Sequence, residues 1–449
     1  MKKVSFLSFF LILLCLFLTA FVACDGVGDL NELPSSSVKD AEVENESNID
    51  GEDARENEFE FTSNGDGTCT LTAVVYVNGA LTIPEISPDG EKVTSIGSGA
   101  FRDCNSITSL TVPDCIENIK DSAFMNCHNL KRVMIGNGLK AIQTDAFYNC
   151  TSLEEVHISD LSAWCRVMIY NSYANPIAYG NTLYLNGEIV TDLVIPNDIS
   201  TIRQYTFDYC TSIVSVTLHN KVSKIEYGAF SCCTFIEEVN VSESLESIGD
   251  YAFYCCTSLK KVPTLDSVKS IGKYAFAKCE SLTQLHVPEG IESIGEYAFK
   301  DCMGIKELTI DIKAHGIDDK AFSDCNYIEK AIVPANMSAK INYTNMHDLI
   351  VCGKGDLPSE MCAFAENLSC VMILDGVEKI GEKTFKGCLA LEKLVLPGSI
   401  SKIGNDAFEY CVALKTVYFM GTEEEWNAIV GIDELPKGTT VVFNYTPDQ

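Results

Sequence analysis

Eleven phenylalanines set the frame of this chain: Phe101, Phe124 and Phe147, then Phe207, Phe230, Phe253, Phe276, Phe299 and Phe322, then Phe385 and Phe408. Within each run they are 23 residues apart, and each is followed three residues on by a Cys. A fixed period of roughly 20 to 50 residues marks a solenoid, because one such unit cannot bury its own apolar face and is stabilised by stacking on its neighbours.

One unit reads Leu282-x-x-Leu285-x-Val287-Pro288-x-x-Ile291-x-x-Ile294-Gly295-x-x-Ala298-Phe299-x-x-Cys302. The alternation around His286 predicts a short strand with Leu285 and Val287 inward, ended by Pro288, which has no N–H for a continuing ladder. Gly295 marks a bend, and Ala298 to Cys302 places small and large apolar groups at a spacing that suits one turn of helix. The fold class expected is an α/β solenoid, a curved stack of 23-residue coils, each a strand, a turn and a short helical or 3₁₀ piece.

This order of residues resembles the BspA-like leucine-rich repeat family of bacterial surface proteins over residues 93–419. Two further segments fit the same resemblance: Ala163-Trp164-Cys165 with Ala174-Asn175-Pro176 and Tyr184 to Glu188, and Gly421 to Asn427. The resemblance implies a curved solenoid displayed outside the cell that binds other proteins. The chain departs from the wider leucine-rich repeat consensus after the strand, where Pro and Gly replace the usual Asn.

The ends suggest how such a domain is held. Met1-Lys2-Lys3 and the apolar run to Ala23 read as a secretory signal over residues 1–23. Phe21-Val22-Ala23-Cys24 resembles a lipobox, which predicts a lipid on Cys24; an uncleaved membrane anchor is the rival reading, since about 20 apolar residues can span a bilayer. Residues 24–58 read as a disordered tether, for between Asp25 and Glu60 thirteen Asp or Glu face two basic residues, Lys39 and Arg55. Residues 59–92 then read as an N-terminal hairpin cap around Asn64-Gly65-Asp66-Gly67, a turn signal that calcium binding could explain only secondarily. Residues 420–449 read as a C-terminal cap, with Thr422 as the N-cap of a short helix and Thr440 to Phe443 as a last strand.

A net charge of −30 repels phosphate backbones, so nucleic acid is excluded as a partner, and it favours basic ligands or simply keeps a long exported solenoid soluble. Of 21 cysteines, eleven recur at one repeat position and read as a stacked row of small apolar core groups. Bridges are expected first among Cys352, Cys362 and Cys370 in the degenerate stretch 336–370, and the other off-ladder thiols come after them. No C-x-x-C pair, nucleophile elbow or phosphate loop occurs, so no metal, cofactor or catalytic residue is expected.

The surface left for binding is the outward side of the repeat strands. Arg132, Met134, Glu155, His157, Glu238, Asn240, Lys261, Gln284, His286, Glu307, Lys330 and Tyr418 carry that reading, with Pro263 and Val395 in the same series. In the insertion 160–192, Trp164, Tyr170 and Tyr173 either anchor a partner or pack the insertion onto neighbouring coils. Function is therefore expected to be that of an exported surface lipoprotein whose partners are proteins, by resemblance an adhesin for host matrix or plasma glycoproteins or for other cells. A structural, self-assembling envelope protein is the alternative, and a degradative enzyme a remote one.

Overall fold

Alternating side chains build the first wall. In the strand Gln284–Val287, Leu285 and Val287 are buried while Gln284 and His286 face out. It pairs in parallel with Glu307–Ile310 one repeat later, Gln284 opposite Glu307 and Leu285 opposite Leu308. Every coil enters this wall in the same direction, so only parallel pairing is available to it. The second wall is a series of two-residue strands, such as Ser247–Ile248, Ser270–Ile271 and Ser293–Ile294, each turning its Ile inward. The computed structural model describes residues 56–447 apart from 242, 264, 336 and 338–340. The expected signal, the lipid on Cys24 and most of the acidic tether lie outside these residues.

The third wall, carrying Ala-Phe-x-x-Cys, is not the helical piece expected from its spacing. Tyr297 and Asp301 flank Phe299 with φ of 60° and 58°, and this left-handed backbone ends any helix. The amides alternate instead. Those of Ala298, Lys300 and Cys302 bond back three residues, to Gly295, Tyr297 and Phe299, while those of Phe299 and Asp301 donate to Ala321 and Ser323 of the next coil. A helix would spend every N–H within its own coil, whereas this turn releases alternate ones to hold the neighbour. The fold is thus a parallel-strand solenoid with 23-residue spacing and little helix.

Between the walls the Phe rings stack face to face, 5.3 Å and 8° between Phe253 and Phe276, then 5.4 Å and 3° between Phe276 and Phe299. The cysteine row does more than fill space. Cys279 Sγ donates to the Phe253 carbonyl at 3.2 Å and Cys302 Sγ to the Phe276 carbonyl at 3.2 Å, and Cys127 and Cys411 make the same contact with Phe101 and Phe385. Each such carbonyl also accepts the amide of its own coil's Cys, so both of its lone pairs are used. All nineteen cysteines among the described residues are free thiols, Cys352, Cys362 and Cys370 included. Those three lie apart by construction: Cys352 Sγ donates to Val333, Cys362 takes a core position, and Cys370 starts a strand.

The insertion ends one first-wall sheet, which resumes separately at Asp192–Val194, whereas the degenerate stretch leaves its sheet unbroken. In the insertion, Thr182–Leu185 pairs in parallel with Glu155–Ile158, then folds back on Glu188–Ile189 through Asn186-Gly187, both left-handed as a two-residue hairpin turn requires. The degenerate stretch, expected as a bulge or disrupted coil, keeps the sheet: Lys330–Pro334 pairs in register with Asp348–Cys352, which pairs with Cys370–Ile373. The residues lost come from the other walls. In the following coil Cys362 stands where the Phe would be, its amide donating to Thr384.

At the start, Glu58–Ser63 and Thr68–Tyr76 form an antiparallel hairpin whose second strand joins Lys92–Ile96, and Phe59 meets the Phe101 ring edge-on at 6.3 Å. At the end, Thr422 and Glu425 form a capping box on the helix Glu423–Asn427, which buries Trp426 against Phe419.

Candidate functional site

Strand register decides which outward residues meet. On the first wall Arg132–Ile135 pairs with Glu155–Ile158, placing Arg132 beside Glu155 and Met134 beside His157. Arg132 Nε donates to Glu155 Oε2 at 2.6 Å, and His157 Nε2 lies 2.9 Å from the same oxygen. These bonds hold the Glu155 carboxyl below its usual range. The His157 ring in turn stacks on Tyr184 of the insertion, 4.4 Å between centroids at 11°. Glu155 thus ties the Arg132 and His157 side chains together, with Met134 exposed at the edge of the group.

The other expected residues fall into separate places. Glu238 and Asn240 sit in a three-stranded sheet opposite Ser215 and Thr217. Gln284, Glu307 and Lys330 form one row of an eight-stranded sheet, in which His286 reaches Asp311 Oδ1 at 3.1 Å. Lys261 lies on no strand. Its coil leaves the ladder where Pro263, lacking an N–H, stands, and Pro263 is buried rather than outward. The twelve expected positions are therefore not one continuous surface.

The insertion aromatics divide as well. Trp164 is 2% exposed, so it is a packing residue and not a surface anchor. Its indole Nε1 donates to the Thr206 carbonyl at 3.1 Å. In a regular coil that carbonyl would accept from the preceding coil's Phe amide, and no such Phe exists here. Tyr170 and Tyr173 are exposed, with Tyr173 meeting Tyr148 edge-on at 5.0 Å.

The strongest feature of the outward wall was not visible in the repeat pattern. Six successive strands of the eight-stranded sheet place Ile332, Ile350, Met372, Val395, Tyr418 and Val442 in one register row. At about 4.8 Å per strand the row runs for about 24 Å. Ile332 and Val442 are exposed, Ile350, Met372 and Tyr418 are half-buried, and Val395 is fully covered, which corrects its expected outward exposure. Tyr445 packs on Tyr418 at 4.8 Å, and Lys393 Nζ lies about 6 Å over both rings. Ile350 and Met372 were missed because the period slips there. The alternation of Asp348–Cys352 and Cys370–Ile373, taken as strands in their own right, carries the signal.

The thiols offer little chemistry. Burial pushes Cys165, Cys388 and Cys411 up to about 12, far from a reactive thiolate at neutral pH. Among the described residues no group of three or more His, Cys, Asp or Glu is placed to hold a metal ion, and no helix is long and apolar enough to cross a membrane.

Compared with known proteins, the chain matches the family profile described as the BspA type leucine rich repeat region over residues 78–183, 178–264, 247–346 and 357–428. Among solved structures, a leucine-rich repeat protein from Bacteroides ovatus is 21% identical with a TM-score of 0.57, over 87% of this chain and 98% of that one. A leucine rich cell surface protein from Faecalibacterium prausnitzii is 22% identical over 85% and 99% of the two chains, with a TM-score of 0.31. No curated protein matches the sequence.

Proposed function

Because this chain belongs to the BspA type leucine-rich repeat family, we propose that it is an exported surface protein that binds a protein partner through the apolar row from Ile332 to Val442. The observation that carries this reading is the row itself. Elsewhere exposed apolar residues on the outward first wall, such as Met134 and Val194, stand singly, whereas here six consecutive strands carry aliphatic or aromatic groups in register, all but Val395 reaching the surface. A desolvated apolar centre with a polar border is the composition of a protein-binding patch. Lys330, Asp348 and Lys393 in the adjoining row supply the border. The lipid on Cys24 and the acidic segment after it would hold the repeats away from a membrane. Host matrix or plasma glycoproteins and the surfaces of other cells are the ligands the family resemblance favours.

The test compares the full chain with the Ile350→Glu/Met372→Glu double variant on immobilised matrix and plasma glycoproteins at low and moderate salt. Saturable binding by the parent that the variant loses, with unchanged melting, supports the reading. Steep weakening with salt would mark a basic ligand, given the net charge of −30. Binding that survives both charges removes the row from the interface. Self-association that the variant abolishes, with every glycoprotein inert, favours the structural alternative.

A further inference from the structure

The third wall carries a second ladder, outside the Phe stack and away from the strand face. Tyr205, Tyr227, Tyr251, Tyr274 and Tyr297 follow one another coil by coil, their rings 5.4, 5.4, 5.0 and 5.0 Å apart. Tyr254 closes edge-on against both Tyr251 and Tyr274. Tyr227 is exposed and the other four ladder residues are half-buried, so the ladder reaches the surface along its length. Centroid separations of 5.0 Å at the last two steps leave no room for a ligand between the rings.

The backbone does not ask for tyrosine here. Tyr205, Tyr251, Tyr274 and Tyr297 have φ between 54° and 60°, a conformation that bulky side chains rarely take. At the same place in other coils the chain uses Gly99, Ser122, Asp145 and Asp406, which suit it better, as well as Glu360 and Lys383, but no other aromatic residue. A large aromatic side chain kept in an unfavourable conformation on successive coils points to a role for the side chain itself. Ring stacking accounts for part of it. Stacking does not need the hydroxyls, and a Phe would serve as well.

We propose that this tyrosine ladder binds an extended neutral polysaccharide laid along the stack, one sugar unit per coil. A site that repeats by translation is engaged at every coil only by a ligand that also repeats, and a folded protein surface does not. The rise of an extended β-linked glycan is close to the ring spacing. Each phenol both donates and accepts, which matches a polyhydroxylated chain. Burial pushes the Tyr205 phenol up to about 12 and also raises those of Tyr227 and Tyr251, so these groups keep their protons at neutral pH. The chain's net charge of −30 disfavours a polyanion, and Lys273 and Lys320 beside the ladder are both paired with Glu296.

The experiment is affinity electrophoresis of the full chain in gels cast with hydroxyethyl cellulose or xylan, with amylopectin as the α-linked control and polygalacturonate as the anionic control. Retardation is expected in hydroxyethyl cellulose or xylan, and retardation by amylopectin alone would overturn the proposal. The Tyr251→Phe/Tyr274→Phe/Tyr297→Phe variant should melt like the parent, since the rings still stack, yet lose at least about tenfold in affinity. The Ile350→Glu/Met372→Glu variant should be retarded like the parent, which separates this site from the strand face. No retardation in any neutral gel, retardation by polygalacturonate alone, or retardation that survives the triple Phe variant overturns the proposal. Glycoprotein binding lost in the triple variant while the neutral gels stay blank overturns it too, and assigns the ladder to a protein partner.

Discussion

Phe276 and Phe385 are both fully buried, yet truncating them should not cost the same. Phe276 is stacked on both sides, by Phe253 and Phe299. Phe385 stacks on Phe408 at 5.5 Å, but on its other side the core position is held by Cys362. A buried Phe→Ala change costs about 3 to 5 kcal/mol through lost transfer energy and the cavity left behind. Each stacked aromatic pair adds about 0.5 to 1.5 kcal/mol beyond area burial. Phe276→Ala should therefore destabilise by about 1 kcal/mol more than Phe385→Ala. Phe276→Leu should recover most of the cavity term while still losing both stacks. Urea unfolding followed by circular dichroism reads the midpoint and slope for each variant. In a solenoid, where stability is a sum over coils and their interfaces, Phe276→Ala should also uncouple its two sides and lower the slope. Equal losses, a larger loss at Phe385, or a cost under about 1 kcal/mol at both sites would refute the ring-stack account.

Cys279→Ser should be more stable than Cys279→Ala by about 1 kcal/mol, because a hydroxyl can still donate to the Phe253 carbonyl; the reverse order in thermal melts would make the cysteine a mere space-filler. Trp164→Phe should cost about 1 to 3 kcal/mol beyond its change in volume, by leaving the Thr206 carbonyl short of a donor, and a neutral result in the same melts removes that role. Hydrogen bonds from Lys273 and Lys320 hold Glu296 at about 2, below its unfolded value near 4.5. Its contribution is thus present above pH 4.5 and fades as pH falls toward 2, so the stability gap between parent and Glu296→Gln should close over that window in acid-denaturation curves; a gap independent of pH would contradict it.

The repeat was legible because a solenoid is translationally regular: residues 23 apart hold equivalent positions, so period, strand alternation and the inward Phe and Cys rows follow from spacing. The third wall was not, since Ala-Phe-x-x-Cys meets the spacing of a helix and of a turn equally well. The discriminating signal lay two residues after the Phe, where Asp103, Asn126 and Asn149 are residues that tolerate left-handed backbone. Pro263 shows the opposite case, a position counted outward by register although its missing N–H forbids the ladder. Ile350 and Met372 escaped because the count from Lys330 to Asp348 is short, while the sheet pairs strands by hydrogen bonds and keeps no count of residues between them. Trp164 could not be placed without knowing which carbonyl lacked a donor.

Both interruptions cut the ring stack, although only the insertion also ends a first-wall sheet. Rings run unbroken from Phe101 to Phe147, from Phe207 to Phe322, and again from Phe385 to Phe408. The solenoid is then three ring-stacked blocks joined in series by two stretches that lack the stack. Tension applied at the ends would concentrate strain at the insertion and the shortened coil, and those would yield first, like fuses. The apolar row from Ile332 to Val442 crosses the second of these joints, so a partner seated across it would act as a splint, raising the force at which the joint gives way.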